Sequence, residues 1–201
     1  MEKVQKDFDN IIRTSNFSKK EVKLKQVFLK KFLEKGFPNR KQENWKFSDL
    51  KQIISKNINE ISFYNDYSVP NKIETSLFVD GLEHNKIVFI NGRIEKIDFN
   101  YENKNKVEII DVPNLEKNLN DINSLIELNN AFTNKCYKVL IKSGYSLKKP
   151  LIIYHITNDK VISKNINLRL DFELEQNSSL KLIDLFKDSS EKNFLNIFYN
   201  F

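Results

Sequence analysis

Side chains suited to metal binding or nucleophilic catalysis are sparse in this sequence. It contains two histidines, His84 and His155, and a single cysteine, Cys136. A metal site needs such ligands at short spacing, as in Cys-x-x-Cys or His-x-x-x-His, and these three residues are widely separated. His155 falls in an alternating apolar run, so we expect it on a strand face rather than as an iron ligand. For Cys136 we expect a small buried apolar position. We therefore assign no metal ligand to this chain.

Acid–base and phosphate-binding chemistry also lack a recognisable pattern. Carboxylates are numerous, but no pair of them is spaced for general acid–base catalysis. Gly92 and Gly144 stand alone, whereas a phosphate-binding loop is rich in glycine. Because no set of titratable residues converges, we expect no catalytic residues, a protein that is not an enzyme, and no cofactor bound by this chain alone.

The densest cluster of charged and aromatic residues follows a predicted helix. Ser18 and Glu21 match a capping box, which predicts that the helix begins near Lys19. Gly36 can close this helix, and Pro38 prevents it from continuing. The apolar stripe of the helix consists of Leu24, Phe28 and Phe32, with Val22, Leu29 and Leu33 beside them.

Residues 40–47, which follow this helix, contain the only tryptophan of the chain and several charged residues. We expect this segment to form a turn that leaves the helix end. Trp45 and Phe47 are predicted to anchor the turn on the core, and Arg40 and Glu43 to fix it as an ion pair.

This motif resembles the SufD family of the SUF iron–sulfur cluster assembly system. In that family a helix ends in Gly-aromatic/Leu-Pro, and an Arg-x-x-Glu-x-Trp-Lys-Tyr/Phe-Thr/Ser run follows. The matching residues here are Gly36, Phe37, Pro38, Arg40, Glu43, Trp45, Lys46, Phe47 and Ser48. Two later segments fit in the same order. Residues 87–93 resemble the VFVNGR hairpin, with Asn91, Gly92 and Arg93 at its turn, and residues 128–132 and 139–153 resemble the LNxAF and PL segments. The resemblance spans essentially the whole chain but only the N-terminal half of a typical SufD.

The resemblance implies a scaffold subunit that pairs with a SufB-like paralogue as a heterodimer and docks a SufC-like ATPase. Dimerisation of the ATPase, driven by ATP, would strain the paralogue pair and expose a nascent cluster site at its interface. An iron–sulfur cluster is thus implied only at the level of the complex. The interface histidine and the ATPase-docking helices of the family lie in the C-terminal half, outside the matched part.

The charge distribution and the hydropathy of the chain argue against two classes of partner, nucleic acids and membranes. Of the net charge of +6, a surplus of five comes from residues 18–35, which hold seven lysines and two glutamates. Most of these lysines lie opposite the apolar stripe and are typical of a solvated helix face. We find no basic patch interleaved with exposed aromatic residues, and we expect no nucleic-acid partner. The N-terminus has no apolar signal core and no apolar stretch could cross a bilayer, so we expect a cytoplasmic protein with no membrane partner.

The chain divides into three predicted regions. Residues 1–72 form a helical N-terminal region that includes the motif, a short helix over residues 47–55 and a polar link over residues 57–72. Residues 73–136 form a small α/β region. In it, Asn91-Gly92 between two apolar runs predicts a type I′ hairpin, residues 107–112 a strand, and residues 114–134 a helix. The predicted buried face of that helix consists of Leu115, Leu119, Ile122 and Ile126.

Residues 137–201 form the third region, in which apolar runs start at intervals of 13 to 15 residues. Around Ile166 to Leu174 the apolar residues alternate with polar ones, which predicts one buried and one hydrated strand face. This spacing suits both a β-sandwich and a β-solenoid, and the sandwich is the commoner fold. The resemblance instead favours the solenoid, because the core of the family is a right-handed parallel β-helix. The expected fold class is therefore α+β, with a helical N-terminal region, a small β region and the first coils of such a β-helix.

Two further expectations concern the last residues and an alternative function. The apolar run at residues 194–201 is followed by no capping segment, so we expect the chain to be a fragment of a longer protein. The alternative is a self-contained β-sandwich module with a helical extension that binds a carbohydrate or protein surface. It requires antiparallel pairing of the strands after Tyr137, whereas the scaffold requires parallel coils.

Overall fold

The computed structural model describes residues 2–58, 60–66, 72–112, 123–188 and 192–201. These residues form four α-helices and nine β-strands, which confirms the predicted α+β class. The helices are α1 (Glu2–Thr14), α2 (Lys19–Lys35), α3 (Leu50–Asn57) and α4 (Ser124–Phe132). The strands are β1 (Ser62–Phe63), β2 (Asn85–Ile90), β3 (Arg93–Asp98), β4 (Val107–Val112), β5 (Cys136–Ile141), β6 (Leu151–Thr157), β7 (Lys164–Leu174), β8 (Leu182–Asp188) and β9 (Phe194–Asn200).

The N-terminal helices form where capping and apolar spacing predict them. The Ser18 hydroxyl accepts from the Glu21 backbone amide at 3.2 Å, and the Glu21 carboxylate accepts from the Ser18 amide at 2.8 Å, so the capping box is confirmed. Gly36 ends α2 with φ of 71°, a conformation that favours glycine. The apolar faces of α1, α2, α3 and α4 meet in one cluster that contains Phe8, Phe28, Leu29, Phe32, Leu50, Ile54, Leu128 and Phe132.

The segment after the motif differs from its prediction in two respects. The short helix spans Leu50–Asn57 rather than residues 47–55, because Asp49 caps it by accepting from the Gln52 amide at 2.9 Å. In this helix Leu50 is buried and Ile53 is 47 % exposed. The link predicted to be irregular contains the short strand β1, which pairs in parallel with the start of β7. A two-residue strand has no periodicity of its own, so the sequence gives no signal for it.

The strands belong to two sheets. In the first sheet the order is β4-β5-β7-β9, with β1 also paired to β7, and in the second sheet it is β3-β2-β6-β8. The sheets thus draw strands from all three predicted regions. They face each other across a cluster of inward side chains: Ile87, Phe89, Val139, Leu151, Ile153, Leu168, Leu170 and Phe172.

From β5 onward, successive strands alternate between the two sheets. β5, β7 and β9 pair in parallel in the first sheet, and β6 pairs in parallel with both β2 and β8 in the second. Each strand therefore lies beside the strand two positions away in sequence. Only β2 with β3 and β4 with β5 pair antiparallel among the described strands.

The outer face of the first sheet is covered by α4, which corrects one expectation. The polar residues of β7 were predicted to be hydrated, yet Asn167 and Arg169 are buried beneath this helix. They are satisfied there by polar partners, because the Arg169 guanidinium donates to the Asp171 carboxylate at 2.8 Å and 3.0 Å.

The hairpin and the last predicted helix have different outcomes. β2 and β3 are joined through Asn91 and Gly92, whose φ angles of 50° and 82° have the sign that a type I′ turn needs. Within the described part of the helix predicted over residues 114–134, α4 spans Ser124–Phe132 and is capped by Asn123, and the predicted buried residue Ile126 is half-buried. Its predicted buried residues Leu115, Leu119 and Ile122 lie outside the described residues.

Candidate functional site

The motif after α2 is a turn held by its backbone. Residues Glu43–Trp45 form a single 3₁₀ turn. The Lys41 amide donates to the Asn39 side chain at 3.0 Å, and the Leu50 amide donates to the Pro38 carbonyl at 3.2 Å. The turn therefore joins α2 to α3 in a defined conformation.

The side chains of this turn are placed differently from the prediction. Trp45 is half-buried and packs against the helical core, as an anchor should. Phe47, however, is 90 % exposed, so its predicted anchoring role is wrong. Arg40 and Glu43 are both exposed, and in the described part of the chain no ion pair joins them. Because the backbone hydrogen bonds already hold the turn, these side chains are left on the surface.

The motif lysine contributes to the same surface. Lys46 is exposed, and its Nζ lies 5.9 Å from the centre of the Phe47 ring, within reach of a cation–π contact. Gly36 and Pro38, in contrast, have the structural roles expected of them, since Gly36 closes α2 and Pro38 is buried at the start of the turn. The motif thus combines a buried frame with an exposed charged and aromatic edge.

The hairpin turn is hydrogen-bonded to the end of β6, the neighbouring strand in the second sheet. Asn91 is fully buried, and its side chain exchanges hydrogen bonds with Asn158 at the end of β6, at 2.8 Å and 3.1 Å. The Asn91 amide also donates to the Ile156 carbonyl at 2.9 Å. Arg93, the next turn residue, lies with its Nε 3.7 Å from a Glu95 carboxylate oxygen.

A cavity of about 440 Å³ adjoins this turn, and its polar lining includes Gly92, Arg93, Asp111, Asn134, Lys135, Tyr137 and Asn167. Lys135 and Asp111 form an ion pair at 2.8 Å. Burial raises the pKa of Tyr137 to about 12, so this phenol stays protonated at neutral pH. Of the residues nominated from sequence, only Gly92 and Arg93 line this cavity. Its other polar groups come from β4, β5, β7 and the connection between α4 and β5, and the sequence does not specify how these segments pair.

Both histidines take part in hydrogen bonds in the core. His84 Nδ1 donates to the Leu82 carbonyl at 2.6 Å, and its Nε2 accepts from the Tyr154 hydroxyl at 2.8 Å. His155 lies on β6 as predicted, facing inward, between the rings of Phe89 and Phe186.

A polar network links His155 to both sheets. Its Nε2 donates to the Tyr199 hydroxyl at 2.7 Å, and that hydroxyl donates to an Asp184 carboxylate oxygen at 2.6 Å. Burial, together with the Asp184 carboxylate, raises the pKa of Tyr199, so the hydroxyl remains a donor. Strands β6, β8 and β9 supply one member each, and the sequence offers no spacing signal that joins them.

Two further titratable groups, Lys25 and Cys136, are buried. Lys25 of α2 is fully buried, its Nζ donates to the carbonyls of Ala131 and Thr133, and burial lowers its pKa to about 7. Cys136 is buried as predicted, and burial raises the pKa of its thiol to about 11. Since a thiol rather than a thiolate is present at neutral pH, Cys136 is a poor nucleophile.

Among the described residues, two kinds of feature are absent. No group of three or more His, Cys, Asp or Glu side chains there is placed to hold a metal ion. None of the helices in that part of the chain combines the length and apolar character that membrane crossing requires.

Comparison with known proteins does not identify a family for this chain. A scan against protein-family models gives no match for this chain, and neither does a search of curated proteins. The features of this chain that bear on its function are therefore its own residues, the pairing of its strands and the motif after α2.

Proposed function

We propose that this chain is a non-enzymatic scaffold subunit of the SufD type, which acts with a SufB-like paralogue and a SufC-like ATPase in the assembly of iron–sulfur clusters in the cytoplasm. The cluster is the cargo of that complex, and we assign no cluster ligand to this chain. The proposal draws on the motif of residues 36–48, the hairpin of residues 87–93 and the architecture of the last third of the chain.

The order of strands β5 to β9 is the observation that carries the proposal. These strands alternate between two sheets, and each pairs in parallel with the one two positions away, an order that supports a solenoid path for the chain. We propose that β5 to β9 form the first coils of a right-handed parallel β-helix. The stacking of equivalent residues supports this, since Asn167 of β7 lies beside Asn196 of β9 and accepts from its side chain at 2.9 Å.

The parallel pairing also separates the two functions that the sequence leaves open. A self-contained sandwich module needs antiparallel neighbours after Tyr137. The three strand pairs formed within β5 to β9 are all parallel. The pairing therefore argues against the sandwich module and favours the scaffold.

The proposal is tested by recovery of the native complex. An affinity tag is placed at the 5′ end of the chromosomal gene, so that the product is captured at its natural length. We expect a SufB-like protein and a SufC-like ATPase to co-purify with it and to co-elute in size-exclusion chromatography. An untagged strain, and a strain in which an unrelated protein of similar charge carries the tag, serve as controls.

The result that contradicts the proposal is equally definite. If the tagged protein is recovered in quantity and folded, but neither SufB-like nor SufC-like protein exceeds its level in the controls, the scaffold role is wrong. Iron and acid-labile sulfide are measured in the same eluate, because cargo of the complex should accompany the three proteins together.

A further inference from the structure

Positive charge is concentrated in one part of the molecule. Residues 19–57 contain twelve Lys and Arg against four Asp and Glu, a surplus larger than the net charge of +6 of the whole chain. The remainder of the chain is therefore slightly acidic. Apart from Lys25, which is buried, these twelve basic residues lie on exposed positions of α2, the motif turn and α3.

Within this basic region the turn presents apolar groups to solvent. We define the Phe47 surface as Arg40, Lys41, Lys46, Phe47 and Ile53. The ring of Phe47 is 90 % exposed, and Ile53 is 47 % exposed one turn into the adjacent helix. An exposed phenyl ring and an exposed branched aliphatic side chain each gain free energy when a partner removes them from water.

The backbone beneath this surface is already ordered. The Ser48 amide donates to the Trp45 carbonyl at 2.8 Å, and Trp45 packs its ring on the helical core. Asp49 caps α3 immediately afterwards. A partner therefore meets a preformed surface and need not order a loop, which lowers the entropic cost of binding.

We propose that the Phe47 surface docks an acidic segment of a partner protein. In this arrangement Phe47 is the central apolar anchor, and Arg40, Lys41 and Lys46 pair with carboxylates around it. A central aromatic residue surrounded by charged groups is the usual anatomy of an interface hot spot. Complementary charge selects an acidic partner and raises the rate of encounter.

Other occupants fit this surface less well. A second copy of the chain docked through the same surface would bring like charges together and be repelled. Single-stranded nucleic acid binds several stacked aromatic rings along a basic groove, whereas this surface offers one free ring and carries the carboxylate of Glu43 beside it. A membrane-binding helix needs a free apolar face, but Leu50 and Ile54 of α3 are buried in the core.

This inference goes beyond the scaffold role and does not depend on it. The test uses the intact purified protein and a synthetic acidic peptide, rich in Asp and Glu around one central Phe. Its counterpart carries Asn and Gln in place of the acids. Binding is followed by the fluorescence of Trp45, the single tryptophan of the chain, which lies in the motif turn. An oligothymidylate and vesicles containing phosphatidylserine are the competing probes.

Two variants and one matched control locate the binding surface. Phe47→Ser removes the anchor, and the double variant K41E/K46E reverses two rim charges. The control is K104E/K106E, which reverses two exposed lysines outside the basic region. We expect the acidic peptide to bind the native protein and the control, with at least about tenfold weaker binding to each test variant, and weaker binding at high salt. Circular dichroism should be unchanged in all variants.

The proposal is overturned by any of four outcomes. They are failure of the acidic peptide to bind, equal binding of its Asn/Gln counterpart, an unchanged affinity in Phe47→Ser, or tighter binding of the oligothymidylate or the vesicles than of the peptide. None of these outcomes bears on co-purification with the SufB-like and SufC-like proteins.

Discussion

Lys25 brings a potentially charged group into the apolar interface between α2 and α4. Its stem packs along the helical core, and its Nζ lies 4.7 Å from the centre of the Phe17 ring while it donates to the last carbonyls of α4. A neutral amine has two N–H groups, enough for both carbonyls. Lys25 therefore caps the C-terminal end of α4 from a neighbouring helix, at the cost of a lowered pKa.

This capping should make stability depend on pH. The pKa of Lys25 is lowered by burial from 10.5 to about 7 in the folded state. Between these pH values the unfolded chain binds more protons than the native protein, so the contribution of Lys25 to the free energy of unfolding increases with pH. From pH 7 to 9 we expect an increase of up to about 1.4 kcal/mol per pH unit. Urea denaturation at several pH values measures it.

Lys25→Met isolates this contribution. The free energy of unfolding of the native protein minus that of this variant should increase as pH rises from 7 to 9. Lys23→Met, at an exposed position of the same helix, is the matched control. Above pH 9 the raised pKa of Cys136 acts with the opposite sign, so that range is avoided. A constant difference across the range would contradict a lowered pKa for Lys25.

The aromatic residues of the motif turn should differ in their importance for stability. Because Trp45 is half-buried, Trp45→Ala should lower the free energy of unfolding by about 1–3 kcal/mol. Phe47→Ser should change it by less than about 0.5 kcal/mol, since the ring is exposed. The midpoint of urea denaturation distinguishes them. A large loss of stability in Phe47→Ser would mean that the ring is an anchor after all.

At the scale of elements, amide side chains connect α4 to the first sheet, beside the apolar contacts of Leu128 and Phe132. Asn129 is fully buried and donates to the carbonyls of Leu168 at 2.9 Å and Asn196 at 2.6 Å, so a single side chain joins α4 to β7 and β9. Asn196 returns a bond to the Leu125 carbonyl of α4 at 2.9 Å. Polar contacts of this kind fix the position of a helix on a sheet more narrowly than apolar packing does.

Removing this connection should be costly. Asn129→Ala leaves two buried carbonyls without their donor, and we expect a loss of about 2–4 kcal/mol in the free energy of unfolding. Asn44→Ala, at an exposed position of the motif turn, serves as the control and should change stability by less than about 0.5 kcal/mol. Equal effects in thermal denaturation would show that α4 does not depend on this side chain.

At the scale of the whole molecule, the two sheets are coupled by apolar packing and by the network of His155, Tyr199 and Asp184. Tyr199 belongs to the first sheet, and the other two residues belong to the second. His155 is buried and Asp184 is exposed, so the network runs from the apolar core to its solvent edge, and its hydrogen bonds favour one register of the sheets over others. The network therefore specifies how successive strands stack.

Tyr199→Phe tests this coupling between sheets. The variant removes one hydroxyl but keeps the ring, so we expect a loss of about 1–2 kcal/mol in stability. In hydrogen exchange the amides of β8 should lose protection together with those of β9, because the network spans both strands. Tyr101→Phe, at an exposed position, is the matched control. Loss of protection confined to β9 would contradict the coupling.

The sequence predicted the fold where the signal is local. The capping box of α2, the Asn91-Gly92 turn and the strand runs near Leu151 and Phe194 all depend on residues a few positions apart. Residues whose environment is set by distant segments were missed, including the burial of Lys25, the strand β1 and the polar face of β7 under α4. The exposure of Phe47 was missed for the same reason, since a pattern of apolar residues does not say which of them lacks a neighbour.

By itself, the sequence determined that the chain is α+β, where most elements begin, and that its histidines and cysteine have no metal-binding spacing. These features follow from backbone hydrogen bonding and hydrophobic periodicity, which act over a turn or a strand. Only the tertiary structure decided that strands β5 to β9 are divided between two sheets and pair in parallel within each sheet. It also decided that Phe47 is exposed to solvent. Both depend on contacts between segments far apart in sequence, because burial and strand pairing are properties of the packed molecule.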